Sequence, residues 1–321
     1  MDFQIAFTPT PLQQKLDLAN RLIAVGSCFS EHIATRLTAN KLSCLQHPFG
    51  TLYHPNAIAR SLMVTEGSFS LDDVITHQGL YFHWNAHSRL WGNTPEELNA
   101  KYDKAIKTVQ RELARASWII ITIGSSYEYK LIDRNKPVAN CHKLSESHFQ
   151  KQISSVSEML EKQRSMQTAI EKINPTIRFL YTVSPVRHVR DGLRKNHISK
   201  GRLLEVAATL SQASNVHYFP SYEIITDQLR DYRFYKRDGI HPNDQAVDYI
   251  WELLIDKWFS KDLKSFITNW TPIKHALNHR ALYPDSTVHK QFCESMIQKL
   301  MAMETQVDTS KEVAYFRSQI E

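Results

Sequence analysis

The chain has 321 residues, of which 42% are hydrophobic and 22% charged, with only nine glycines and twelve prolines. These proportions are those of an ordinary folded protein and exclude a disordered or collagen-like chain. The net charge is +6, but basic and acidic residues alternate along most of the chain, so we expect no nucleic-acid partner. The longest strongly apolar stretch, residues 118–123, is far shorter than the roughly 20 residues that cross a bilayer, so we expect no membrane span.

The first residues show no features of a secretory signal. Asp2 stands where such a signal has basic charge, and Pro9 and Pro11 precede any long apolar run, so we expect the protein to be cytoplasmic. Four cysteines are scattered along the chain without CxxC spacing: Cys28, Cys44, Cys141 and Cys293. This spacing is typical of reduced thiols in a cytoplasmic protein.

Short β-branched runs alternate with longer amphipathic ones, a pattern typical of a parallel sheet covered by helices on both faces. The predicted strands cover residues 22–25, 42–46, 118–123, 177–183 and 216–219. The third is continuously apolar, as a strand buried on both faces should be, so we expect it to be central.

Helix signals lie between these runs. Thr94 begins a capping box with proline at the first helical position, which predicts a helix to about Ala116. A second long helix is predicted after Ser147, and Asn243 is predicted to cap a helix with one apolar face. A last long helix is predicted over residues 288–303.

Two segments depart from the alternation. Residues 65–92 are rich in His, Trp and Gly without a clear period, and they interrupt the pattern as an insertion would. After about Ser260 the pattern becomes helical and polar. We therefore predict an α/β domain over residues 1–260 with an insertion around 65–92, and a helical extension over residues 261–321 that packs on the same unit.

The first predicted strand ends in Gly26-Ser27-Cys28, directly before a helix. A serine at the carboxyl end of such a strand is exposed to a helix N-terminus, which favours developing negative charge. A serine hydroxyl needs a histidine to take its proton and a carboxylate to orient that histidine. Asp238 and His241 have the spacing to provide both groups from one loop.

Gly26-Ser27 and Asp238-x-x-His241 resemble the first and last sequence blocks of SGNH hydrolases. More specifically, the chain resembles the GSCFA family, which is named after its first motif; this chain has Ser30 in place of the alanine. The resemblance extends over most of the chain through further segments: HPFG at 47–50, HW at 83–84, HSR at 87–89, TIGSS at 122–126, NCHK at 140–143, SPVRH at 184–188, DYRFY at 231–235 and ALNHR at 276–280.

This resemblance implies a three-layer α/β/α, flavodoxin-like parallel sheet and hydrolase chemistry. It assigns Ser27 as nucleophile, with its own backbone N–H facing the oxyanion, and Gly50 as a second oxyanion donor. SGNH hydrolases supply an asparagine after a glycine as the third donor, whereas this chain has Gly124-Ser125-Ser126. Ser126 is therefore the first candidate for that donor. The next candidates are Asn140 and His142.

The register of the first motif leaves an alternative open. SGNH hydrolases have Gly-Asp-Ser, and this chain has Gly-Ser-Cys. If Ser27 takes the place of the aspartate, Cys28 takes the place of the serine, and a thiol beside a helix N-terminus can be activated. We favour Ser27 over Cys28.

We predict no metal site and no cofactor. His83 and His87 have the spacing of paired metal ligands on a helix, but Gly79 and Asn85 favour a loop, and no glutamate follows in the HExxH manner. No Walker or GxGxxG fingerprint supports a nucleotide cofactor.

The predicted function is a serine hydrolase that acts on ester bonds, with O-acyl or acetyl groups of a small molecule or carbohydrate as substrate. The alternatives are an acyltransferase that uses the same acyl-enzyme and a non-catalytic protein that binds an acylated ligand. The segment 187–195 is locally basic and is either a solvated loop or an anion-binding loop beside the site. The residues predicted to line the site are Cys28, Tyr53, His83, Trp84, His87, Gly124, Ser125, Asn140, His142, Arg187 and His188.

Overall fold

A computed structural model describes residues 7–320. Its strands are β1 (Arg21–Gly26), β2 (Ser43–Gln46), β3 (Val74–His77), β4 (Leu80–His83), β5 (Trp91–Gly92), β6 (Trp118–Ile123), β7 (Tyr127–Leu131), β8 (Lys136–Val138), β9 (Phe149–Ile153), β10 (Arg178–Val183) and β11 (Val216–Tyr218). Its α-helices are α1 (Cys28–Ala39), α2 (Pro55–Met63), α3 (Pro95–Leu113), α4 (Val156–Ile173), α5 (Leu193–Leu210), α6 (Ser221–Glu223), α7 (Asp244–Trp258), α8 (Lys261–Asn278), α9 (Thr287–Met301) and α10 (Ser310–Arg317). Across residues 7–320, none of the helices has the length and apolar character needed to cross a membrane.

The central sheet has five parallel strands in the order β2-β1-β6-β10-β11. Counted along the chain, its strands follow the order 2-1-3-4-5 of flavodoxin-like folds. All five strands predicted from the sequence belong to this sheet, with ends displaced by at most one residue. The apolar strand β6 lies at its centre, between β1 and β10. The predicted α/β fold is therefore confirmed.

The two faces of the central sheet carry separate hydrophobic cores. Side chains alternate along β6, so that Trp118 and Ile120 belong to one core and Ile119, Ile121 and Ile123 to the other. Helices α1, α7, α8 and α9 cover the first core, and α2 to α5 cover the second. Truncating one such isoleucine to alanine typically lowers the free energy of unfolding by roughly 2–5 kcal/mol. Strand β6 therefore contributes to the stability of both cores.

Local signals start the helices. Thr94 caps α3 by accepting from the N–H of Glu97, and Asn243 caps α7 by accepting from that of Ala246, both as predicted. The helix predicted to follow Ser147 begins later than expected. Strand β9 intervenes, and α4 starts at Val156 after a different capping box.

Two small antiparallel sheets lie outside the central sheet, β3-β4-β5 and β8-β7-β9. The first occupies the predicted insertion, where Gln78 and Gly79, with φ of 51° and 77°, form a two-residue turn between β3 and β4. The second lies between β6 and α4 and was not predicted. Trp84 of the first segment packs against Phe149 of the second, which joins the two sheets.

Helices α8 to α10 pack beside the end of α1. The indole N–H of Trp270 donates to the carbonyl of Ala39 at 2.9 Å, and Lys274 Nζ donates to Asn40 Oδ1 at 2.7 Å. Residues of α8 and α9 contribute side chains to the same core as α1 and α7. The C-terminal helices thereby share a hydrophobic core with the central sheet.

Candidate active site

The turn between β1 and α1 depends on Gly26. Its φ of +128° is rarely adopted by residues with a side chain, and a Cβ there would lie 2.1 Å from the carbonyl oxygen of Thr122. The carboxyl ends of β1 and β6 therefore approach each other closely. The strand order reverses between these two strands, and this is where ligands bind in open α/β sheets.

Ser27, the predicted nucleophile, is the N-cap residue of α1 and is fully buried. Its backbone N–H donates to the carbonyl of Thr122 at 2.9 Å, and its Oγ makes no hydrogen bond within residues 7–320. Its side chain lies against Gly124, where an added Cβ would be 3.1 Å from the Cβ of Ser27. The hydroxyl is shielded from solvent and the N–H is already engaged. Neither predicted role of Ser27 agrees with this placement.

Cys28 occupies the position predicted for Ser27. It is the first residue of α1, it is partly exposed, and it lines a cavity of about 780 Å³ that His241 also lines. The backbone N–H groups of Cys28 and Phe29, in the first turn of α1, favour a thiolate and act against the rise in the pKa of the thiol. The register in which Cys28 takes the serine's place is therefore the one that reaches the cavity.

Burial of the Cys28 side chain outweighs these stabilising effects and raises the pKa of the thiol above its usual value. Among the charged groups, Lys200 lowers this pKa and Glu31 raises it. The thiol is therefore protonated at neutral pH and needs a base before it can attack.

His241 and Asp238 form the pair predicted from their spacing. His241 Nδ1 lies 2.7 Å from Asp238 Oδ2, while Asp238 Oδ1 accepts from the N–H groups of Ile240 at 2.8 Å and His241 at 3.0 Å. The hydrogen bond from the imidazole, followed by those from the backbone, lowers the pKa of Asp238 to about 2. Since a carboxylate holds the proton on Nδ1, the free Nε2 is available as a base.

Arg187 connects the Asp238–His241 loop to the end of β10. Its backbone N–H donates to the carbonyl of Ile240 at 3.2 Å, and its Nη1 donates to that of Gly239 at 3.1 Å. Its guanidinium lies over the ring of Tyr235, 4.0 Å from the ring centroid. These contacts orient a loop whose His241 and Asp238 side chains are otherwise 40% and 42% exposed.

The other predicted oxyanion donors are also engaged elsewhere. The N–H of Gly50 donates to the carbonyl of His47 at 2.8 Å, and Gly50 lines a different cavity together with Glu31. Ser126 is fully buried, and both its N–H and its hydroxyl donate to Ser199 Oγ, at 2.8 and 3.0 Å. Neither residue lines the Cys28 cavity, so neither is placed to donate to a ligand bound there.

The remaining predicted lining residues divide into two groups. Those that line the Cys28 cavity are Tyr53, Ser125, Asn140, His142, Arg187 and His188. Those that do not are His83, Trp84, His87 and Gly124. His83 and Trp84 are buried behind the cavity wall, where both contact the segment that carries His142: the carbonyl of His83 lies 3.1 Å from His142 Nε2.

The His83 and His87 pair is not a helical ligand pair. His83 ends β4 and accepts from the N–H of Asn85 through Nδ1, whereas His87 lies in the following loop and accepts from that of Arg89. Within residues 7–320, no three His, Cys, Asp or Glu side chains converge in a way that could hold a metal ion.

The sequence analysis missed one wall of the cavity. Strands β7 and β9 supply Tyr127, Tyr129 and Lys151, and the ammonium of Lys151 lies 4.9 and 5.3 Å from the two ring centroids. Their alternation of aromatic and charged residues over 127–131 is the strand signal that could have identified them. The predicted insertion at 65–92 does not line the cavity but supports this wall.

Residues 187–191 of the locally basic segment 187–195 also line the cavity. Two of its charges form ion pairs: Asp191 with Lys151 of β9, and Arg190 with Glu146 in the turn before β9. His188 faces Tyr53 edge to face, with ring centroids 5.5 Å apart, and burial lowers the pKa of His188 to about 3. The segment is therefore neither a free basic patch nor wholly solvated.

A buried lysine was also missed. Lys200 of α5 is 1% exposed and donates to the carbonyls of Gly124 at 2.8 Å and Ser184 at 2.7 Å. It lies at helical spacing from Leu203 and Ala207, on the apolar face of the helix. A charged residue in an apolar stripe was the signal available in the sequence.

The sequence model of the GSCFA family matches residues 21–254, and that of the GSCFA domain protein, C-terminal domain, matches residues 270–321. No curated protein sequence matches the chain. Among solved structures, the chain is similar to a protein from Streptococcus pneumonia described as a candidate platelet activating factor, at 12% identity and a TM-score of 0.39, over 75% of this chain and 84% of that one. It is also similar to an acetyl xylan esterase from the rumen bacterium Butyrivibrio proteoclasticus, at 13% identity and a TM-score of 0.36, over 77% of this chain and 67% of that one. Neither likeness is close enough to transfer an activity to this chain.

Proposed function

Because the chain belongs to the GSCFA family, we propose that it is an ester hydrolase whose nucleophile is the thiol of Cys28, with His241 as general base and Asp238 as its orienting partner. The observation that carries this proposal is that Cys28 and His241 line one cavity, whereas Ser27 is buried outside it. The Asp238 to His241 hydrogen bond of 2.7 Å supplies the tautomer that the base requires.

The reaction has two halves. His241 Nε2 takes the thiol proton as the Cys28 sulfur bonds to the ester carbonyl carbon, and the carbonyl electrons move to its oxygen. When they return, the C–O bond breaks, and the imidazolium gives its proton to the leaving alkoxide, which leaves a thioester on Cys28. Water, deprotonated by His241, then attacks the thioester; the C–S bond breaks, and the thiolate recovers the proton.

The first turn of α1 is suited to stabilise the oxyanion. The N–H groups of Cys28 and Phe29 belong to the first turn of α1 and have no acceptor within the helix, so they are suited to donate to an oxygen on a carbon bonded to the Cys28 sulfur. Helix α1 adds the positive end of its dipole. These two N–H groups replace the donors predicted at Gly50 and Ser126.

The lining of the cavity favours a polar substrate. It combines tyrosine rings (Tyr53, Tyr127, Tyr129) with side chains that can hydrogen-bond hydroxyl groups, such as Ser125 and Asn140. A mixture of this kind suits the alcohol part of a sugar ester, because ring faces pack on C–H groups and amides bind hydroxyls. We therefore propose O-acetyl or other short O-acyl esters of a polyhydroxylated alcohol as the substrate class.

The test compares the rate of p-nitrophenyl acetate hydrolysis in the wild type, Cys28→Ala, His241→Ala and Ser27→Ala. Loss of a nucleophile or its base typically removes three or more orders of magnitude from kcat, so we expect falls of about 1,000-fold or more in the first two variants. Ser27→Ala removes a buried hydroxyl that has no hydrogen-bond partner within residues 7–320. It should keep activity within about threefold and serves as the matched control.

The opposite result, activity lost in Ser27→Ala and kept in Cys28→Ala, would overturn the thiol mechanism. A wild type that acylates Cys28 but releases product only when an alcohol is added would identify acyl transfer instead of hydrolysis. A wild type that binds acetylated sugars without acylation would identify a binding protein.

A further inference from the structure

Helix α5 turns a polar face towards the candidate site. Asn196, Ser199 and Lys200 stand three and four residues apart, which places them on one side of the helix, and all three are buried. Three buried polar residues on this side of α5 are unusual, because the next turns of the same side carry the core residues Leu203 and Ala207.

Each of these three residues holds a different segment of the site. Asn196 Oδ1 accepts from the backbone N–H of His188 at 2.9 Å, and Ser199 Oγ accepts from that of Ser126 at 2.8 Å. Lys200 Nζ donates to the first carbonyl beyond β6, at Gly124, and to the first beyond β10, at Ser184. Lys200 therefore joins the carboxyl ends of two neighbouring strands.

Gly124 links Lys200 to the nucleophile turn. A Cβ at Gly124 would lie 3.1 Å from the Cβ of Ser27 and 3.2 Å from Cδ1 of Tyr53. The carbonyl that Lys200 holds thus belongs to the residue packed directly against the Ser27-Cys28 turn. Any shift of the Lys200 side chain would move the backbone that contacts this turn.

The amino group of Lys200 is buried without a carboxylate partner in residues 7–320. Burying an ammonium in this way costs folding free energy, because no opposite charge compensates for the lost hydration. Burial lowers the pKa of Lys200, and a thiolate at Cys28 would act in the opposite direction. Its other neighbours carry no compensating charge: burial keeps His188 neutral by lowering its pKa to about 3, and the ring of Tyr222 is 6.0 Å away.

The charged groups around Cys28 also identify Lys200 as the residue that favours its thiolate. Glu31 from α1 opposes the thiolate, but Glu31 forms an ion pair of 2.9 Å with Arg89. Tyr53 is un-ionised at neutral pH, because burial raises its pKa to about 12. Lys200 is thus the positive charge that favours the thiolate without being neutralised by an acid.

We propose that Lys200 is a positioning residue of the site: it fixes the strand ends behind Cys28 and supplies the buried positive charge that favours the Cys28 thiolate. A role for Lys200 in catalysis rests on the proposed function. Its effect on the reactivity of the Cys28 sulfur, however, can be measured without any ester substrate.

The charge has a limited pH range. Burial lowers the pKa of Lys200 to about 7, so the ammonium is present below that pH and is lost above it. The help it gives to the thiolate should therefore be greatest in mildly acidic solution and should fade as pH rises. A role limited to packing would not depend on pH in this way.

The experiment measures the rate at which iodoacetamide alkylates Cys28, followed by peptide mass spectrometry from pH 6 to pH 9. Lys200→Gln keeps N–H donors for the two carbonyls but removes the charge. At pH 6 we expect alkylation about tenfold slower than in the wild type, the equivalent of one pKa unit. At pH 9 the two rates should agree within about twofold.

Two controls accompany this comparison. Lys195→Gln removes the charge of an exposed lysine on the same helix and should leave the rate unchanged at every pH. Cys141 lies in the same cavity, but the charges that act on it are Arg190, Glu146 and Lys151, so its alkylation reports access and folding in each variant.

A Lys200→Gln rate equal to wild type at pH 6, or slower by the same factor at every pH, would overturn the proposal. Lys200→Met, which fills similar space without hydrogen bonds, is the second variant and should show the same pH-dependent ratio. Failure of the proposed function is a separate result: Cys28→Ala would retain ester hydrolysis, whatever the alkylation rates.

Discussion

The two halves of the candidate site are held in place by different means. Cys28 follows β1, which pairs with the central strand β6, and its turn is fixed by Gly26, Gly124 and the buried Lys200. His241 lies in a loop that is held by Arg187 and by its own bond to Asp238. The proposed nucleophile thus lies at the edge of the core, whereas the proposed base lies in a surface loop.

Substitutions in the two halves should therefore have different effects on stability and on activity. Changes near Cys28 disturb backbone packing shared by β1, β6 and β10, so they should lower the stability of the whole domain. Changes in the loop should leave the fold intact and alter only the orientation of the imidazole. The predictions below test that division, beginning with the largest effect.

Asp238→Asn should reduce kcat for p-nitrophenyl acetate by about 1,000-fold or more, because an amide cannot hold the imidazole in the tautomer that carries a proton on Nδ1. The side chain is exposed, so the thermal unfolding midpoint should stay close to that of the wild type. A large fall in that midpoint would show that the loop is part of the stable core after all.

Gly26→Ala should lower the free energy of unfolding by about 3 kcal/mol or more, since it combines a strained φ with contact against a backbone carbonyl. Gly239→Ala is the matched change in the loop. Its φ is +68°, and the nearest atom to the added Cβ is 3.8 Å away, so about 1 kcal/mol is expected. Equal losses in urea denaturation would contradict the division between the two halves.

Arg187→Met should lower kcat by about 10- to 100-fold, because the loop loses the hydrogen bond to Gly239 and the base moves away from the sulfur. The alkylation rate of Cys28 at pH 6 should not change, since Arg187 holds the loop and not the strand ends. Slower alkylation would place Arg187 in the buried half of the site.

The central sheet could be predicted because its signals are local. Strand β6 is a continuous apolar run, and the caps of α3 and α7 are short motifs at Thr94 and Asn243. The two small sheets were not predicted, because their strands are short and partly exposed. They are joined by a shared hydrophobic cluster that includes Trp84 and Phe149. Such pairing depends on contacts distant in sequence.

The site was predicted only where spacing decides the geometry. Asp238 and His241 are three residues apart, and a single loop brings them together. Which of Ser27 and Cys28 faces the cavity depends on the direction of the turn after Gly26, and spacing does not specify that direction. The predicted donors at Gly50 and Ser126 failed for a related reason, because their N–H groups bond to His47 and Ser199.

The most direct test of the thiol mechanism is to locate the acyl group on the enzyme. The wild type is mixed with excess p-nitrophenyl acetate, quenched in acid during turnover, digested and analysed by mass spectrometry, because acylation of the thiol itself requires His241. We expect one acetyl group on Cys28, removed by neutral hydroxylamine as a thioester is, and none in Cys28→Ala. An acetyl group on Ser27 that resists neutral hydroxylamine would contradict the assignment of Cys28 as the nucleophile.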